Sequence, residues 1–469
     1  MTIQVDRRLV LGGLGSLAAL LACRSSDKAY DAEVIILGAG LSGLHAARLL
    51  EAESKDVLVL EGSGRIGGRM HTLDHGALGY TEGGGEQVGA SYARIIDSAK
   101  TLGLKLTPDK PQRRDTAYYY DGKLMGPDEW KTLDPHPFAD PFKEASPGSP
   151  LFALAAKDNP LTAPQDWRDP QFSAYDISAE DFLKSKGFSD EARRVIGVAL
   201  NGNSLESYSM MNLYRSLQLY AAARGMGPSL SIEGGAQRLP EAMAKSLKRP
   251  VMTGQMISQI EAQTDSVSVT TNTGKTYRAL HCICTLPFSA LRHITLNAAL
   301  PTPQSDAVNR LPYTQIYQVH FKANTRFWET DGLPADMWTD SPVERVFASL
   351  NSTGKPTGLF RAWTNGSAAN MWAANEDPQT LIQSEFKRVR PSSKGDIDIL
   401  GIANWTVSNP LAGGAYMHWA PGQIPAMAET MGQPARRLSF AGEHLGYLHT
   451  GMEAAMESAE NAAFALMDI

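Results

Sequence analysis

Cysteine is scarce in this chain: only Cys23, Cys282 and Cys284 occur in 469 residues. That rules out a disulfide framework as the basis of the fold. Cys282 and Cys284 stand two apart in a β-like run and share one face, with Cα atoms roughly 6.6 Å apart along a strand. This is near the upper limit for a bridge, and the side chains would run parallel, so both are expected as buried small hydrophobes. No metal-ligand spacing of Cys and His appears. A basic stripe is missing too: net charge is −6 with both signs scattered, which argues against a nucleic-acid partner. The uncharged stretch Leu9–Ala22 is short of the ~20 apolar residues a bilayer-crossing helix needs. Internal repeats and low-complexity tracts are absent. What remains is an ordinary globular composition, 43% hydrophobic and 20% charged, long enough for two or three domains' worth of core.

The N-terminus differs from the rest. Arg7-Arg8 followed by the Leu-, Ala- and Gly-rich run resembles a twin-arginine export signal, which predicts an exported, periplasmic protein. Leu20-Leu21-Ala22-Cys23 also resembles a lipobox, making Cys23 a candidate lipid anchor. The alternative is a buried N-terminal helix, which the glycines of the run disfavour.

Beyond a polar linker, Val34–Leu37 reads as a buried parallel strand, Ser42–Ala52 as a helix and Val57–Leu60 as a second strand ending at Glu61, together a βαβ unit. Between them lies Gly38-Ala39-Gly40-Leu41-Ser42-Gly43. Gly38 permits a tight turn, Gly40 lets backbone N–H groups approach a pyrophosphate, and Gly43 lets helix and strand pack closely. The helix N-terminus, including Ser42, favours the phosphates, and Glu61 stands where it would hold ribose hydroxyls. Strand, turn, helix and acid together predict dinucleotide binding. Farther on, residues 108–170 are Pro- and aromatic-rich without a period, 176–220 is helical, and 229–244 reads as strand then helix. Residues 251–277 form short strands, 280–286 and 316–321 further strands, and the chain closes with strand 438–441 and helix 452–467.

Gly62-Ser63-Gly64-Arg65-Ile66-Gly67-Gly68-Arg69, directly after Glu61, resembles the flavin-containing amine oxidase family. The resemblance continues through Glu82–Gly89, Ile232–Pro240, Leu286–Arg292, Arg326-Phe327-Trp328, Trp405, Gly413–Tyr416 and Phe440–Glu453. It implies an α/β fold in which a Rossmann-like FAD-binding domain (29–107, 227–290 and 400–469) carries a second, α+β substrate-binding domain (108–226 and 291–399), after an export signal and linker in 1–28. It further implies that Gly68 and Arg69 reinforce the pyrophosphate site, that Gly85, Glu86 and Gln87 pass under the flavin, and that the Ile257 backbone meets the adenine. Glu443 would approach the ribityl–phosphate region. A helix from Met452 would aim its N–H groups at the flavin end that becomes negative on reduction.

Several positions depart from the family pattern. Monoamine oxidases tether flavin through a cysteine where this chain has Ala415, so FAD is expected to be non-covalent. Tyr416 is kept as one wall of a substrate cage, with Trp419 nearby, while the opposite, usually aromatic wall falls at Gly451. L-amino-acid oxidases pair the substrate carboxylate with an arginine where Gln87 stands; a neutral amide cannot supply that pair, which favours an amine without an α-carboxylate. The lysine near the flavin in many members has His293 as its nearest match, or Thr295 on the amino-acid-oxidase alignment. His293 could act as a base near neutral pH, or be an ordinary surface histidine.

The expected activity is FAD-dependent oxidation of a small-molecule amine to an imine that hydrolyses to aldehyde or ketone, with electrons passed to O₂ or to a periplasmic carrier. The rivals are an L-amino-acid oxidase, a FAD-dependent desaturase, and an exported flavoprotein without a substrate of its own. A homodimer is compatible with the sequence.

Overall fold

The computed structural model describes residues 30–109 and 114–467. The N-terminal segment expected to be an export signal, with its arginine pair and Cys23, lies outside the described residues. Two seven-stranded sheets organise the rest. The first is built around Ala32–Leu37, which pairs in parallel with Val57–Leu60 on one side and Thr276–Cys284 on the other. Strand Leu438–Phe440 extends the parallel set beside the C-terminal half of Thr276–Cys284, whose N-terminal half pairs with Val267–Thr271. Val34, Ile35, Ile36 and Leu37 are all buried, as a β-branched run covered on both faces should be. The carboxyl end of this central strand opens into the crevice where such sheets bind ligands.

Helix Leu41–Ala52 and the C-terminal helix Gly451–Met467 pack together. Ala46, Ala47 and Leu50 of the first join Met456, Ala459 and Ala463 of the second in one core. Alanines on both surfaces let the axes approach closely. Cys282 and Cys284 are free and buried, and burial pushes the Cys284 thiol up to about 12.

The second sheet has the strand order 397–405, 316–323, 356–365, 345–350, 336–339, 116–120, 123–125. Its two faces differ. Val319, Phe321, Val346, Ala348, Phe360 and Ala362 face helices Gly366–Ala373 and Pro378–Val389, burying against Trp372, Ile382 and Phe386. The alternate residues, among them Gln318, His320, Arg361, Trp363, Arg345 and Phe347, share the opposite face by register. Helices Ser149–Lys157, Ala179–Ser185, Asp190–Ala199 and Met210–Ala222 follow the strand 123–125 in the chain.

Two expected boundaries shift. Thr295–Asn297, assigned from sequence to the substrate region, pairs with the first sheet along Gln259–Glu261. Strand Ile397–Trp405 crosses position 400 and lies wholly in the second sheet. The stretch 108–170, read as irregular, contains the hairpin Thr116–Tyr120 and Lys123–Met125, turned at Asp121-Gly122 with both residues at positive φ. Among the described residues no helix is long and apolar enough to cross a membrane, and no cluster of His, Cys, Asp or Glu is arranged to hold a metal.

Candidate active site

The glycine turn sits at the carboxyl end of strand Ala32–Leu37. Gly38 has φ +102°, a conformation that strains any other residue. A Cβ on Gly43 would fall 2.0 Å from the Gly38 carbonyl oxygen, so only glycine lets this helix start so close to the strand. Gly40 caps the helix and lies against Gly68, whose Cβ would sit 3.3 Å from the Gly40 Cα. Glu61 accepts from the backbone N–H of Ala39 at 2.7 Å and of Ser63 at 2.8 Å, so its carboxylate lies against the turn. The Ser42 hydroxyl is buried with no protein partner. A buried orphan donor beside a helix N-terminus, in a cradle that a Cβ would fill, fits a phosphate-bearing dinucleotide.

Arg65 holds the next loop by donating to the carbonyls of Gly68 and Met70. The Arg69 guanidinium donates to the Ala415 carbonyl and the Glu443 carboxylate, at 3.0 and 2.7 Å. Glu443 also accepts from the Met417 N–H. This pair therefore ties the glycine-rich loop to segment 413–417 and to the C-terminal motif.

Segment Gly83–Gln87 runs across the open face of the second sheet. The Trp405 indole donates to the Gly83 carbonyl, and Arg361 donates to the Glu82 carbonyl and the Glu86 carboxylate. A Cβ on Gly84 would collide with the Arg69 carbonyl at 2.0 Å, and Gly85 abuts the Met452 sulfur. The Gln87 amide donates to Ser229 Oγ at 3.0 Å, with Asp109 at 3.4 Å. Ile257 opens a first-sheet strand and is buried, following the Gln255 N–H that donates to the Glu61 carbonyl.

Behind Glu443, His444 is buried with neither ring nitrogen partnered; burial and the Arg69 charge hold it down at about 3, so it is neutral. Loop 446–449 is clamped from two sides. Arg215, from helix Met210–Ala222, donates to the carbonyls of Gly446, Tyr447 and His449, while Glu457 accepts from the N–H groups of Tyr447, Leu448 and His449. Burial and Arg168 lower Arg215 to about 9. Gly451 begins the helix at φ +61°, and a Cβ there would meet nothing within 4 Å.

Tyr416 lies on a strap that bends at Gly413-Gly414 and pairs through Met417 with Tyr313. The N–H of Ala415 donates to the Thr314 carbonyl, and that of Thr314 to the Tyr416 carbonyl. Burial pushes the half-buried Tyr416 phenol up to about 12, with Arg345 pulling down and Glu443 and Tyr220 pushing up.

The sequence profile described as flavin containing amine oxidoreductase matches residues 41–467. The chain belongs to the flavin-containing amine oxidoreductase family. It resembles an L-amino-acid oxidase of Siganus canaliculatus, 26% identical over 92% of this chain and 84% of the relative. It is also 26% identical to a flavin-containing amine oxidase of Danio rerio, over 94% and 86%. Among solved structures, cyclohexylamine oxidase from Brevibacterium oxydans superposes with a TM-score of 0.73 at 25% identity, covering 93% of this chain and 99% of that one. This flavin-containing amine oxidoreductase is thus a FAD-dependent enzyme acting on amines.

Two expected site residues stand in surroundings unlike those of an open pocket wall. Trp419 is 2% exposed and packs 5.7 Å from Trp167, whereas Tyr416 is half-buried. His293 is exposed on the turn between helix Phe288–Leu291 and edge strand Thr295–Asn297. The chain leaves the crossover there for the outer edge of the first sheet, which carries His293 outward. Residues not singled out from sequence come in instead: Arg361 and Trp363 on the sheet's open face, and the Arg215–Glu457 clamp. Strict alternation in 316–321 could have flagged Gln318 and His320 as sharing a face. Nothing local marks Arg215, whose partners lie more than 230 residues away.

Proposed function

We propose that this enzyme oxidises a small-molecule amine to an imine, which water hydrolyses to an aldehyde or ketone, with electrons passing to O₂ to give peroxide or to a periplasmic carrier. The observation that carries the reading is Tyr416, a neutral half-buried phenol on the strap that Arg69 and Glu443 join to the flavin motifs. Bound FAD supplies the two-electron acceptor for the amine's α-C–H. The chain supplies position and a water-poor cage. With its phenol held near 12, Tyr416 offers an aromatic face and a neutral hydroxyl and takes no proton at physiological pH. Gly451, where a Cβ would meet nothing within 4 Å, is read by resemblance as the opposite wall, and an open wall there suits a bulky amine. Ala415 has no thiol, supporting non-covalent FAD, and Gln87, held by Ser229, brings no charge to an α-carboxylate. Residues 1–28 are proposed to export the enzyme, with Cys23 as the candidate anchor.

The test is anaerobic addition of amines, including amino acids and their decarboxylated counterparts, to FAD-loaded protein while flavin absorbance is followed. Bleaching by at least one amine is expected. A flavin that stays oxidised with every amine overturns the reading.

A further inference from the structure

The open face of the second sheet is built from residues opposite one another in register: Arg345 faces Trp363, Phe347 faces Arg361, and Trp363 faces Gln318. On the helix-covered face Val346, Ala348, Phe360, Ala362 and Thr364 are buried, whereas Arg345, Phe347, Arg361 and Trp363 on the other face are only half-buried. A half-open row in the middle of a sheet borders a cleft, and segment Gly83–Gln87 covers its far end.

The two arginines of this row are provided for differently. Arg361 is neutralised by Glu86 at 2.8 Å. Arg345 donates through Nη1 to Asn201 Oδ1 at 2.9 Å, but its Nε and Nη2 are buried with no acceptor. These two atoms form the edge of a guanidinium that matches a carboxylate with two parallel hydrogen bonds. Glu344, next in sequence, does not fill the role: its carboxylate accepts from the Asn365 N–H and Nδ2, and no ion pair joins it to Arg345 among the described residues. Burial, opposed by the Arg345 charge, raises Glu344 to about 7, so near neutral pH it cancels only part of that charge. The Arg345 guanidinium lies 5.9 Å from the Trp363 ring centroid, and Trp363 and Tyr416 pack against the same small cluster of Ile316, Ala403, Trp405 and Ala412, which puts the orphan donors on the side of the substrate wall. Buried donors left unmet cost free energy that a ligand acceptor recovers.

We propose that Arg345 is a specificity-determining residue that receives a carboxylate of the substrate, so that the amine oxidised is a carboxylated one. This rests on the amine-oxidase reading. Because Gln87 brings no cation, the carboxylate is expected to be separated from the reacting carbon, as in an ω-amino acid.

The test uses FAD-loaded enzyme and the Arg345→Gln variant, with ω-amino acids, α-amino acids and the matching amines without carboxylate. Wild type should favour a carboxylated amine, and the variant should lose at least about a hundredfold in kcat/KM for it while changing little toward uncharged amines. Flavin absorbance titrated with benzoate and short straight-chain carboxylates should show saturable binding that the variant loses. Equal use of charged and uncharged amines, or equal losses on both in the variant, overturns the inference and leaves the oxidase reading standing. If no amine bleaches the flavin, the oxidase reading falls, and carboxylate binding unchanged or missing in both proteins sinks the role of Arg345 as well. Arg345-dependent oxidation of α-amino acids would support it and displace the argument from Gln87.

Discussion

Glu457→Gln probes how the C-terminal helix is held at the flavin. Glu457 is 5% exposed and accepts three backbone N–H groups and the His449 ring. Burial alone would raise its pKa, but the His449 and backbone hydrogen bonds outweigh it and hold the group at about 2, against an ordinary value near 4.5. That difference corresponds to about 3 kcal/mol of folding stability at neutral pH. A carboxyl held low stabilises the folded state fully above its unfolded pKa, and the contribution drains away as pH falls through the folded value. Wild type should therefore exceed the variant by about 3 kcal/mol near pH 7 and by roughly half of that near pH 3. Urea unfolding of both proteins at the two pH values measures this. The variant should also retain less FAD, because loop 446–449 precedes Gly451. A gap under about 1 kcal/mol at pH 7, or one that does not narrow in acid, would refute the reasoning.

Gly43→Ala should drive a Cβ into the Gly38 carbonyl; overpacking of about 1–3 kcal/mol predicts at least tenfold weaker FAD retention on gel filtration. Ser42→Ala removes the orphan hydroxyl without touching a protein partner, so FAD affinity should fall about three- to tenfold while the apoprotein unfolds at the same urea concentration. Tyr416→Leu should cut kcat/KM by about tenfold or more with FAD content unchanged. His293→Asn, at an exposed turn, should leave kinetics within about twofold; a large drop in kcat would return that histidine to the site.

Much of the FAD half was legible because its signals are local. The turn at Gly38–Gly43 follows from strand, glycines and helix within a dozen residues, and Glu61 follows from strand length. The hairpin at Asp121-Gly122 carried a recognisable turn dipeptide yet was hidden by the prolines around it. The substrate side was harder. Trp419 and Tyr416 belong to one motif, yet only the tertiary packing leaves Trp419 buried against Trp167 and Tyr416 half-buried. His293 matched a position by counting, and the structure puts it on an exposed turn before an edge strand.

By itself the sequence determined the dinucleotide turn, the family and the missing thiol at Ala415, since each depends on residue identity at short range. Tertiary structure alone decided that Arg69 pairs with Glu443, that Arg215 and Glu457 grip one loop from opposite sides, and that Arg345 keeps two donors without acceptors. Those outcomes depend on which distant segments meet, and hydrogen bonding and burial at such contacts leave no periodic trace in the residues that make them.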